Sequence, residues 1–190
     1  VRCRLLAVLL ATGLTACGQQ DPATPPSASP PAPPPAAAEP SVPPGGFGPT
    51  EQAFTQLAIS TDDQAVRLLD LGARRAANPA LRAFAGELAT TRRAELESLH
   101  GLLDAASVPY QNLHEGHDMP GMPTDAELTG LASSAAFDTE LTRLVRAHLT
   151  ESATVARSAA TQVTHEPTKA VAAAMATERA AALTRLASLN

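Results

Sequence analysis

The densest run of donor side chains in this sequence is His114-Glu115-Gly116-His117-Asp118-Met119-Pro120-Gly121-Met122. Imidazole nitrogens and thioether sulfurs are borderline-to-soft ligands, so His114, His117, Met119 and Met122 together suit copper better than a hard cation. All four sit on one Gly/Pro-rich stretch, which permits chelation but preorganises it poorly. The competing reading is a connection that packs its methionines over the end of a helical bundle. Further along, His148 shares a helical stripe with Leu141, Leu144 and Val145 and is expected to point inward. An imidazole there either binds a metal through one nitrogen or bonds a carboxylate or a backbone carbonyl.

The acidic residues offer less. Asp62 and Asp63 are adjacent, so on a helix they diverge by about 100°, poor geometry for paired acid and base work. A solvated acidic turn is the expectation. The alternative makes Asp62 an oxygen ligand that, with His148, would favour zinc, manganese or iron. Glu97-Ser98-Leu99-His100 is a single Glu-x-x-His, whereas a di-iron centre in a helical bundle needs two, with a glutamate from each of the other two helices. Glu95 is a candidate companion for His148 in a partial core site. No Gly-x-Ser-x-Gly and no phosphate-cradling glycine loop occurs, so no catalytic residue is expected and the chain does not read as an enzyme.

The two cysteines lie at the N-terminal end. Arg2 and Arg4 precede an apolar run from Leu5 to Leu14, and Leu14-Thr15-Ala16-Cys17 follows. The run is shorter than the roughly 20 residues that span a bilayer and has the form of a secretory signal. Its ending resembles the bacterial lipobox, which implies that residues 1–16 are removed and that Cys17 carries acyl chains such as palmitate. The expected location is the extracytoplasmic face of the cell membrane, with the membrane itself as partner through the anchor. Lipid would consume the Cys17 thiol and leave no pair for a disulfide.

These residues must be positioned by something, and the sequence supplies helices. Residues 18–49 hold 12 of the 17 prolines and little to bury. With Cys17 they read as a disordered tether, residues 17–49, able to reach on the order of 100 Å. From Thr50 to Asn190 the apolar residues recur in steps of three and four. Thr50 or Thr55 is the expected cap of a first helix carrying Phe54, Leu57, Ala58, Ala65, Leu68 and Leu69. Asn78-Pro79 opens a second that ends near Ser107-Val108-Pro109. Thr124-Asp125-Ala126-Glu127 is a capping box opening a short helix. A third long helix runs from Phe137 to about Gln162, and Glu166-Pro167 starts a fourth. The predicted fold is all-α, a four-helix bundle with one short extra helix in the connection.

The halves repeat. A shift of 87 residues places Ala85, Ala89, Thr90, Arg92, Leu96 and Leu99 on Ala172, Ala176, Thr177, Arg179, Leu183 and Leu186. Two helical hairpins related by duplication are therefore expected. The same shift puts Glu97 on Thr184 and His100 on Ala187, so the second Glu-x-x-His is missing; Glu95 falls on Ala182.

Phe54 to Leu103, the Met119–Met122 loop, Asp125-Ala126-Glu127-Leu128, Phe137-Asp138 and Ala156-Arg157 together resemble the bacterial domain of unknown function family 305. The resemblance implies a ferritin-like bundle, exported or lipid-anchored, in a family of which several members look like handlers of copper or other metals. The family commonly carries one His-His pair in the first long helix and a second in the third. Here those positions hold Thr61-Asp62 and His148-Leu149, one histidine of four.

Composition narrows the function classes. The signal holds two of the 14 basic residues and none of the 19 acidic ones, so the remainder carries a net charge of −7. That acidity, with only 3% aromatics and no Trp, does not suit a nucleic-acid partner. The sequence therefore predicts a surface-anchored bacterial lipoprotein whose bundle has a non-catalytic binding or envelope-structural role. The alternative is an envelope protein that handles copper or another transition metal through His114, His117, Met119, Met122 and His148.

Overall fold

The computed structural model describes residues 45–189, so the candidate signal, Cys17 and the tether as far as residue 44 lie outside the described residues. Among the described residues there are five helices and no strand: α1 (Pro49–Arg75), α2 (Pro79–Ala105), α3 (Asp125–Ser133), α4 (Phe137–Gln162) and α5 (Glu166–Ala187). None of them is long and apolar enough to cross a membrane.

Most helix starts follow local chemistry. The Asn78 side chain accepts from the Ala80 and Leu81 N–H groups ahead of α2. Thr124 and Glu127 form the reciprocal capping box of α3. The start of α1 departs from expectation, because neither Thr50 nor Thr55 caps it. Pro49, whose missing N–H costs nothing at the first helical position, moves the start back so that Gly48 is the N-cap. Glu51 then reaches back to accept from the Gly48 N–H at 3.0 Å. Thr55 lies inside the helix and donates to the Glu51 carbonyl at 2.7 Å. At the far end of the hairpin α2 stops at Ala105, and Ser107 turns the chain with a φ of 56°.

α1 packs on α2 and α4, and α5 packs on α4 and α2. Phe54 and Ile59 of α1 cluster with Ala159 of α4 and Val163 at its C-cap, whereas Leu68 and Leu69 meet Leu141 and Leu144. α1 and α4 are therefore antiparallel. By the same logic α2 opposes α5, since Leu99 and Leu103 meet Met175 while Phe84 and Leu88 meet Ala182 and Leu186. α2 and α4 consequently run in the same direction. Residues 106–136 return the chain along the bundle, the single long crossover of a ferritin-like fold. The crossover does not cap the bundle end: Gly121 lies against Ala147 and Glu151, midway along α4.

The duplication is visible in the hydrogen bonds. Glu51 accepts from the N–H groups of Thr164 (2.8 Å) and His165 (3.3 Å), in the turn between α4 and α5. Asp138, 87 residues later, accepts from Ala77 (2.9 Å) and Asn78 (2.8 Å), the corresponding residues of the turn between α1 and α2. Each hairpin thus supplies the carboxylate that ties down the turn of the other.

Candidate functional site

Buried charged side chains from four helices meet at one level, apart from Glu51 near the start of α1. Along α1 the inward steps run Ala58, Asp62, Ala65, Leu69, and along α5 they run Ala172, Met175, Arg179, Ala182, Leu186. Arg92 follows Leu88 on α2, and His148 follows Val145 on α4. Because these substitutions fall at matching heights, one polar layer divides the interior into two apolar clusters.

Arg179 is at the centre of that layer. It donates to both Asp62 oxygens (3.0 and 3.3 Å), to both Glu95 oxygens (2.6 and 2.9 Å) and, through Nε, to the Ser152 hydroxyl (2.9 Å). Arg92 donates to Glu95 at 2.8 Å and to Glu178. Both guanidiniums are wholly buried, and their five N–H donors make each an effective neutraliser of paired acids. The Arg92 Nε has no hydrogen-bond partner.

Asp62 and Glu95 bond each other, and their environments pull them apart. Burial, reinforced by Glu95, holds Asp62 well above the usual carboxylate range in spite of Arg179. Burial also opposes ionisation of Glu95, but the Asp62 hydrogen bond and the Arg179 and Arg92 charges outweigh it and bring it down to about 2. Of the two, Asp62 is the acid whose surroundings favour the neutral form.

His148 adjoins the layer on the α1/α4 side. Its Nδ1 lies 3.2 Å from the Gly121 carbonyl oxygen. A carbonyl only accepts, so Nδ1 carries the hydrogen and Nε2 presents a lone pair. That nitrogen is buried, has no hydrogen-bond partner and lies 3.7 Å from Asp62 Oδ1. Burial, followed by the Arg179 and Arg92 charges, lowers the His148 pKa to about 3, so the ring is neutral.

These positions correct one expectation and divide another. Asp62 does not belong to a solvated acidic turn. It is wholly buried while Asp63 is exposed, because Asp62 lies in register with Ala58 and Ala65 and has Arg179 to accept it. Glu95 and Asp62 converge near His148, with Arg179 bonded to both acids. Glu97 is exposed, and His100 stacks edge-on against Tyr110 at 5.4 Å, away from the layer. The loop donors divide: His114, His117 and Met122 line an open depression of about 390 Å³, Met119 and Met122 share another of about 200 Å³, and Met119 with His148 lines a small cavity of about 40 Å³. Among the described residues no group of three or more His, Cys, Asp or Glu side chains is arranged to hold a metal.

Arg92 and Arg179 were visible in the sequence only as a repeated pair. The further signal was their register: in steps of three and four, each occupies a position on its helix where an apolar residue is due.

Two solved structures share this arrangement of helices. A DUF305 fragment from Deinococcus radiodurans superimposes with a TM-score of 0.67 at 17% identity, covering 77% of this chain and 97% of its own. A DUF305 protein from Streptomyces coelicolor, described as a candidate secreted protein, gives 0.67 at 22% identity, covering 74% and 91%. At such identities the likeness speaks for the fold alone. No curated protein matches the chain. The family described as a domain of unknown function, DUF305, matches residues 51–190, and with that span covering the whole bundle the chain belongs to this family.

Proposed function

We propose that the protein is a non-catalytic helical bundle, held at the extracytoplasmic face of the cell membrane by lipid on Cys17, with a binding or envelope-structural role. The observation that carries the reading is the ion layer. Where ferritin-like metalloenzymes converge carboxylates on metal ions, two buried guanidiniums take up those carboxylates here. With Arg179 bonded to Asp62 and Glu95, and Arg92 to Glu95 and Glu178, the layer's carboxylates are engaged by guanidiniums rather than left open to a metal ion. Export is supported by the Arg2/Arg4 and Leu5–Leu14 pattern, and by the secreted description of the similar Streptomyces coelicolor protein.

Cells expressing the full chain and its Cys17→Ser variant, fed labelled palmitate and then fractionated, test the anchor. The parent should take up label and sediment with membranes, and the variant should do neither. Equal behaviour of the two overturns the anchored reading.

A second reading, handling of copper or another transition metal in the envelope, is favoured by one observation: the unpartnered lone pair of His148 Nε2.

A further inference from the structure

We propose that the outer face of α2 docks a second copy of this chain, the two helices lying antiparallel about a two-fold axis near Arg93. This contact depends on neither the Cys17 lipid nor a bound metal.

α2 packs on α1 and α5, and the crossover lies over α1 and α4, which leaves the opposite side of α2 exposed. In steps of three and four that side reads Arg82, Gly86, Thr90, Arg93, Glu97, Gly101, Asp104. All are exposed except the half-buried Gly86. The charges are segregated, with arginines in the first half and acids in the second. Those at the two ends lack a counter-charge. Arg82 donates only to the Ala76 and Ala77 carbonyls, at 2.9 and 3.5 Å, and among the described residues neither the Glu97 nor the Asp104 side chain has a partner. Arg82 and Asp104 cannot serve each other. They are about 33 Å apart along the helix, whereas charges are felt over roughly 8 Å in physiological salt.

A second copy laid antiparallel supplies what each lacks, because the stripe read backwards complements itself. Arg82 meets Asp104 of the second copy, Gly86 meets Gly101, and Thr90 meets Glu97. The two-fold axis makes each of these contacts twice. A parallel pairing would instead set Arg82 against Arg82 and Asp104 against Asp104. Arg93 falls at the axis, where two guanidiniums would repel were each not already held by both oxygens of its own Asp70 at 2.6 Å. The glycines permit the close approach. An added Cβ at Gly101 would meet nothing within 4 Å in the single chain, so that space is open to a neighbour.

Sedimentation velocity of the purified full chain tests the contact, at about 50 mM and about 500 mM salt. The parent should form a dimer in the lower salt and shift towards monomer in the higher. Arg82→Glu and Asp104→Arg each bring like charges together twice per dimer. Each should weaken association by roughly tenfold or more, with the helical circular dichroism unchanged. An equal mixture of the two variants should recover the dimer, since every reversed position then faces an opposite charge. Gly101→Leu, whose side chain has room in the monomer, should block the approach and leave monomer. A parent that stays monomeric in low salt, a dimer indifferent to either reversal or to Gly101→Leu, or a mixture no better than the variants alone overturns the proposal.

Discussion

Arg179 ties together Asp62, Glu95 and Ser152, three side chains from three other helices, and Asp62 among them is wholly buried. Removing one member of a buried ion cluster strands the rest, at a cost of about 3–5 kcal/mol. Arg179→Met is therefore expected to lower unfolding free energy by that amount in urea denaturation. Asp62→Asn should behave differently. Burial favours the neutral form of Asp62, so a neutral amide of the same shape, which can still accept from Arg179, replaces it with little penalty. Its expected cost is about 1 kcal/mol or less. Equal losses in the two variants would show that Asp62 is ionised in the fold and would defeat this account of the layer. The sequence hid these residues for a physical reason. A charged side chain is ordinarily exposed, and Asp62 is buried only because Arg179, 117 residues away, supplies its counter-charge. Inward register at position 62 was legible, and the partner that makes burial tolerable was not.

Two kinds of connection hold the helices to one another, and each gives a separable expectation. Glu51 and Asp138 tie opposite ends of a bundle about 40 Å long, each accepting backbone N–H groups that would otherwise lack partners. Glu51→Ala and Asp138→Ala should each cost about 1–3 kcal/mol, and the double variant should lose the sum, because the sites are far apart and share no partner. A double variant clearly less damaged than the sum would mean that the two ends are not independent. The crossover is held in another way. Gly121 has φ +74°, and an added Cβ would lie 2.9 Å from the Ala147 carbonyl oxygen and 2.6 Å from Glu151 Cβ. Gly121→Ala should therefore lift the loop from α4, break the bond to His148 and destabilise by about 1–3 kcal/mol. Faster hydrogen exchange confined to the loop and the middle of α4 would report it, and parental exchange would show that α4 yields instead. Helix starts at Pro79 and Asp125 were readable because the Asn78 and Thr124 caps are local, and the start at Glu166 because Pro167 suits a first helical turn. The seating of the loop was not, since it depends on how closely Gly121 approaches a helix that begins 16 residues later.

For the molecule as a whole, the protonation states in the layer oppose one another. An exposed histidine titrates near 6.5, whereas His148 in the fold titrates at about 3. As pH falls below about 6.5 the unfolded chain gains a proton that the folded chain refuses, so the His148 contribution declines until about pH 3. Glu95, lowered from 4.5 to about 2, adds a loss of the same sign below pH 4.5. Asp62 works in the other direction. Its pKa is raised from 3.8, so the folded chain keeps a proton that the unfolded chain has released, and acidification towards 3.8 favours folding. Below pH 6.5 the His148 and Asp62 contributions therefore have opposite signs. The parent protein, kept metal-free with a chelator, should therefore lose less stability on acidification from pH 6.5 to 4.5 than His148 alone would dictate. Asp62→Asn should expose the His148 term and lose stability steadily as the solution is acidified. His148→Gln should expose the Asp62 term and gain stability instead. Urea midpoints measured at half-unit steps give all three slopes, and two variants that both retained the parental slope would show that neither residue is held away from its ordinary protonation state. Slopes of opposite sign would establish that the charged layer, rather than the surface acids, sets how this bundle responds to pH.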